Sequence, residues 1–157
     1  MTHPPADAPV TEFAGQLFFR LWRASHVRAA DVLGSVGLTP ATFALLNVIG
    51  VRKGAIQQEL GAAMGIDRTT MVALIDQLEG AGLAERRPSK TDRRAREVAI
   101  TPKGRRVLQR ARQMIFAAED EVLAGLKAEE RRELLTLLHR ALESAPAPPL
   151  WSSDEGD

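Results

Sequence analysis

The residues best placed to do chemistry in this 157-residue chain are cations set close together. Between Glu85 and Arg112 there are eleven Lys or Arg against three acidic side chains (Glu85, Asp92, Glu97), a local charge of +8 in a chain whose formal net charge is +1. From Gln113 onward the balance reverses, with four basic and ten acidic residues. Ammonium and guanidinium groups at this density displace counterions from a polyphosphate, although a basic run by itself also suits a solvated face. Just upstream, Gln58, Arg68, Thr69, Thr70, Val72 and Ala73 supply the groups that anchor phosphates and touch base edges. Catalytic chemistry finds no comparable support. There is no nucleophile with a base at useful spacing, no paired carboxylate and no phosphate loop. The chain has no cysteine, which excludes disulfides and thiolate metal sites. His3, His26 and His139 lack metal-ligand spacing. A non-enzyme without a cofactor is expected.

Those polar groups need elements to aim them. Gln57 to Met64 reads as a short helix, in which Gly61 is small enough for another helix to cross closely. Gly65 falls where the chain must turn and takes a positive φ at little cost. Asp67 is a natural N-cap, since its carboxylate can accept the free N–H of Thr69 or Thr70. From Arg68 the apolar residues Met71, Leu74, Ile75 and Leu78 form a helical stripe that ends at Gly82. Burying that stripe turns Arg68, Thr69, Val72, Ala73 and Asp76 outward, with Gln58 and Thr70 better placed for phosphate. Asp76 would repel phosphate unless it pairs with a basic neighbour. This is a helix-turn-helix pattern. Residues 83–87 and 96–100 then read as antiparallel strands around the turn-rich PSKTDRRA. A hairpin directly after a recognition helix is a wing. Its loop offers Lys90, Arg93 and Arg94, while Arg86, Arg87 and Arg96 on the strands suit either phosphate or solvent.

Around this unit, residues 1–10 hold three prolines and are expected to be a flexible arm. Thr11 to about Gly34 reads as a long helix. Thr39 caps and Pro40 opens a second helix, apolar nearly all round and so expected inside the domain. Gly50 to Gly54 reads as a linker. After the wing, Thr101-Pro102 opens a long helix to about Gly125, and Ala128 to about Ser144 forms the last one. The proline-rich, acidic stretch 145–157 reads as disordered. The expected fold is mainly α with a small β wing, in the order α1-α2-α3-α4-β-β-α5-α6. Residues 38–101 form a winged helix-turn-helix DNA-binding domain, and 11–34 with 102–144 a helical dimerisation region. The outer helices carry more apolar surface than one such lobe can cover, so a closed homodimer is the economical partner.

From Glu59 to Gly104, ELGAAMGIDRTTMVALIDQLEGAGLAERRPSKTDRRAREVAITPKG resembles the MarR family of bacterial transcriptional regulators. The specific parts are Leu78-Glu79 with Gly82-Leu83, the wing triplet Asp92-Arg93-Arg94, and ITPKG. The resemblance implies a triangular homodimer on a pseudo-palindromic operator, and repression relieved in many members by a small phenolic or other aromatic ligand. It also implies that Asp92 braces Arg94, which enters the minor groove. Where members commonly carry Ser or Thr followed by Arg in the recognition helix, this chain has Val72 and Ala73. A bidentate Arg–guanine contact is therefore unavailable at position 73. Readout falls to Arg68 and Thr69, with Val72 against a thymine methyl.

The resemblance further implies a ligand cleft near helices 1, 2 and 5. Phe18, Trp22 and His26, at i, i+4 and i+8, are the candidates to contact an aromatic effector there. The favoured alternative is that Phe18 and Trp22 are dimer core, with His26 a surface or hydrogen-bonded residue. No apolar run is long enough for a membrane helix and the N-terminus is not a signal peptide, so a cytoplasmic location is expected. The competing function is a winged-helix protein–protein interaction module without DNA binding, which would not need Lys90, Arg93 and Arg94 together at a loop tip.

Overall fold

The computed structural model describes residues 13–52, 55–89 and 96–145. In chain order the elements are α1 (Ala14–Gly34), α2 (Pro40–Arg52), β1 (Ala55–Ile56), α3 (Gln57–Met64), α4 (Arg68–Gly80), β2 (Ala84–Pro88), β3 (Arg96–Ile100), α5 (Pro102–Val122) and α6 (Ala128–Ser144). The mainly helical architecture with a small wing is as the sequence indicated. One boundary differs and one strand is added. The stretch expected to be a linker from Gly50 begins as helix, because α2 runs on through Arg52. It is followed by a strand, β1, that the sequence reading lacks. Two residues are too short for an alternating pattern to register, yet β1 pairs antiparallel with β3, placing Ala55 opposite Val98. The sheet order is β1-β3-β2, with β3 central.

α2 is the hub. Its Leu45, Leu46 and Ile49 are fully buried against α1, α3, α4, α5 and β3. Its start is fixed as expected: the Thr42 N–H donates to Thr39 Oγ1 at 3.1 Å, and Thr39 N–H donates back to Thr42 Oγ1 at 2.8 Å. Leu60, Met64, Met71, Leu74, Ile75 and Leu78 close the core from the helix-turn-helix side, Val98 and Ile100 from the sheet, and Leu33, Leu108 and Ala111 from the outer helices.

The junction of α4, β2, β3 and α5 is knotted at one place. Thr101 Oγ1 accepts the Gly104 N–H at 2.9 Å and donates to the Gly82 carbonyl at 2.8 Å. Lys103 Nζ donates to the Ala81 carbonyl at 2.7 Å, a cation on the negative end of α4. A Cβ at Gly104 would stand 2.0 Å from Leu83 O, so only glycine lets α5 leave the sheet this closely. The ITPKG signature is thus a packing requirement.

The outer helices are covered on one side only. α1 packs along α5, and the Arg28 guanidinium pairs with Glu121. Yet Phe13, Leu17, Phe18, Phe19, Trp22 and Val27 of the α1 region remain exposed, as do Phe116 on α5 and Leu135, Leu137 and Leu142 on α6. No residue of α6 is buried. Its start is tied by Arg131, which reaches Asp120 at 2.5 Å.

Candidate nucleic-acid interface

The turn between α3 and α4 follows from three local choices. Gly65 takes φ 66° and ψ 27°, the left-handed conformation that glycine adopts without a Cβ clash. The Ile66 N–H then returns to the Gly61 carbonyl at 3.0 Å. A Cβ on Gly61 would lie 3.1 Å from Ile66 O, so what approaches Gly61 is the turn backbone, not the crossing helix expected from sequence. Asp67 caps α4 as anticipated: Oδ1 accepts from Thr69 N at 2.8 Å and Thr70 N at 3.0 Å. The Thr70 hydroxyl donates to Oδ2 at 2.5 Å. That hydroxyl bond, then the Thr70 and Thr69 amides, holds the Asp67 carboxyl below the usual carboxylate range. Thr70 has therefore committed its only hydroxyl proton to the cap, which leaves it an acceptor toward anything outside.

With the cap set, α4 phases as the apolar stripe requires. Met71, Leu74, Ile75 and Leu78 are buried, while Arg68, Thr69, Thr70, Ala73 and Asp76 are exposed and Val72 is half-buried. Gln58 on α3, Arg68 on α4 and Arg96 on β3 line one concave groove of about 840 Å³, floored by Ile66 and Met71. Residues from three elements, separate in sequence, thus meet on one surface, with two guanidinium groups and an amide around an apolar floor. Arg96, which suited either phosphate or solvent on sequence grounds, belongs to this surface.

Arg86 does not join it as a free cation. Its guanidinium is held by Asp76 at 2.7 Å and by Glu79, the neighbour that the sequence reading anticipated for Asp76. Burial works against the charged form, yet the bonds and charges of Asp76 and Glu79 outweigh it and raise the Arg86 pKa above its ordinary value. The expected phosphate contact at Arg86 thus meets a guanidinium already matched by two carboxylates. Glu79 was the residue missed; the available signal was a second carboxylate three positions after Asp76, on the same helix face. The wing residues Lys90, Asp92, Arg93 and Arg94 lie outside the described residues, as do most of the expected arm and tail.

A second concavity of about 180 Å³ lies between α1 and α5, lined by Trp22, Ser25, His26, Ala29, Ile115, Ala118 and Glu119. The His26 ring stacks on Trp22 with centroids 4.9 Å apart. Phe18 does not line it. Trp22 takes Phe19 as its other aromatic neighbour, at 6.0 Å, so the stripe of three divides between cleft and exposed face. Burial and then the adjacent Asp120 push the Glu119 carboxyl up. Among the described residues no group of side chains could hold a metal ion, and no helix is long and apolar enough to cross a membrane.

Comparison with known proteins places this geometry. A model described as MarR family matches residues 36–95. A putative transcriptional regulatory protein for the hcr operon of Thauera aromatica is 34% identical over 145 residues, covering 87% of each chain. The HTH-type transcriptional regulator BilQ of Clostridium symbiosum is 33% identical over 104 residues, 66% of this chain and 72% of that protein. Among solved structures, the transcriptional repressor CouR bound to a 23-mer DNA duplex superposes with a TM-score of 0.74 at 32% identity, covering 84% of this chain and 94% of that one.

Proposed function

The chain belongs to the MarR family of transcriptional regulators, relatives that are regulators and not enzymes, and from that premise we propose that it represses transcription as a homodimer bound to a pseudo-palindromic operator. One observation carries the reading: the apolar stripe of α4 is wholly buried while Arg68, Thr69 and Ala73 stand exposed beside Gln58 and Arg96. That is the disposition a helix needs to enter a major groove, with flanking cations on phosphate. Arg68 and Thr69 read base edges, Val72 and Ala73 offer small apolar contacts, and Gln58 meets phosphate oxygens, while Thr70, with its hydroxyl proton given to Asp67, steadies the cap rather than donating to phosphate. On the wing loop, Arg94, braced by Asp92, enters the neighbouring minor groove, and Lys90 and Arg93 add positive charge beside it.

The homodimer rests on α6 and α1. A helix of 17 residues with none buried has little to hold it, since in proteins most helical stability comes from packing an apolar face. The exposed Phe and Leu of α1 and α6 give a second copy the apolar surface to bury. Two recognition helices then lie about one turn of duplex apart, roughly 10 base pairs. Selection of bound fragments from genomic DNA, with sedimentation of the free protein, tests both statements. A monomer that retains no genomic fragment at low salt overturns them.

The cleft at Trp22 and His26 is the candidate site for relief of repression. Its volume, about 180 Å³, lies below the roughly 300 Å³ lower bound of ordinary ligand pockets and suits a single aromatic ring. Glu119 at its edge favours a ring bearing a hydroxyl donor over one bearing a carboxylate. Phenols are expected to raise the melting temperature more than benzoates do; equal silence from both classes, alongside intact DNA binding, removes the cleft from the regulatory scheme.

A further inference from the structure

The first strand of the wing is fastened to the recognition helix by a charged clamp. β2 is an edge strand, and Arg86 lies opposite Val98 of β3. Its backbone N–H does not bond to β3; Glu79 Oε1 accepts it at 2.6 Å. The other Glu79 oxygen takes the Arg86 side chain through Nη1, and Asp76, one turn earlier on α4, reaches the same Nη1 at 2.7 Å. Two carboxylates thus face one guanidinium on the outward side of a helix that must approach a polyanion. By charge alone this arrangement opposes DNA binding. What it supplies is geometry: a side chain closes the open edge of the strand and ties the two elements at a backbone and a side-chain point together.

We infer that the Asp76–Arg86–Glu79 clamp sets the wing relative to the recognition helix, so that Arg86 is a positioning residue for DNA and not a phosphate contact. The inference rests on the DNA-binding reading above. It makes a prediction opposite in sign to simple electrostatics. Asp76→Asn and Glu79→Gln each remove a negative charge from the DNA-facing side, which by itself tightens binding. If the clamp positions the wing, each weakens binding instead, by about fivefold, and the double variant by more. Arg86→Met lowers affinity similarly but leaves the slope of log K against log salt unchanged. Arg86→Lys restores much of the loss, because both ion pairs converge on one nitrogen.

The experiment measures affinity for a selected genomic fragment across a salt series. Amide exchange at Arg86 gives a second readout, which Glu79→Ala, with no acceptor left at that position, accelerates if the Glu79 bond protects that N–H. The Asp76 side chain is 56% exposed, so D76N retains its fold and carries the test even where R86M does not. Tighter binding by D76N and E79Q overturns the clamp, as does a slope reduced by about one phosphate contact in R86M. A native chain that binds no genomic fragment overturns the DNA reading itself, a result distinct from either.

Discussion

At the scale of single residues, the same side-chain types divide into those that meet a partner and those already spent within the protein. Arg68 is exposed at the first turn of α4 and lines the groove with Gln58 and Arg96, whereas Arg86 is engaged by Asp76 and Glu79. Arg68→Ala is therefore expected to weaken operator binding by about 1–3 kcal/mol and to relax preference at one base position. Arg94→Ala is expected to cost at least tenfold, from the family resemblance of the wing triplet. Gel shifts at physiological salt measure both, and unchanged affinity removes the residue concerned from the interface. Asp67 yields a pH prediction. Its folded pKa is depressed, chiefly by the Thr70 hydroxyl, so its contribution to stability is present above the unfolded carboxylate value near 3.9 and is lost as pH falls through the folded value. The melting temperature of Asp67→Ala should lie below that of the native chain at neutral pH, and the gap should close in acid. A gap that persists there would show the cap acting through something other than its charge.

Among the elements, the junction of α4, β2, β3 and α5 decides whether the interface is assembled at all. Gly104 lets α5 start against the Leu83 carbonyl, and a methyl group there meets that oxygen at 2.0 Å and Ile100 Cγ1 at 2.9 Å. Gly104→Ala is expected to destabilise the fold by about 1–3 kcal/mol or more, as overpacking does. Chemical denaturation measures it, and a neutral result would mean that α5 can shift freely. The glycine itself was visible in sequence as part of ITPKG, but its reason was not. A close approach between residues 83 and 104 leaves no periodic trace, because it depends on where two separate segments come together. β1 escaped for a related reason: two residues become a strand only through the neighbour they pair with.

For the whole molecule, the division between covered and uncovered apolar surface is the main fact. The lobe from α2 to the first half of α5 has a closed core, while α6 has none of its residues buried and Leu135 and Leu142 stand 53% and 69% exposed. Leu135→Glu combined with Leu142→Glu is expected to yield a monomer in sedimentation that keeps the far-ultraviolet signature of the lobe and loses operator affinity at least tenfold. A double variant that remains dimeric would put the subunit contact elsewhere. Much of this was legible beforehand. The stripe Met71, Leu74, Ile75, Leu78, the caps at Thr39, Asp67 and Thr101, and the basic run 85–112 are local or periodic features, and short-range sterics and burial determine them from the chain alone. The tertiary structure decided which charges are already satisfied, that Arg96 shares a groove with Gln58 and Arg68, and that Trp22 and His26 border a cleft while Phe18 does not. Pairing and concavity arise between segments distant in sequence, and only the packed chain sets the distances that make a cation free or spent.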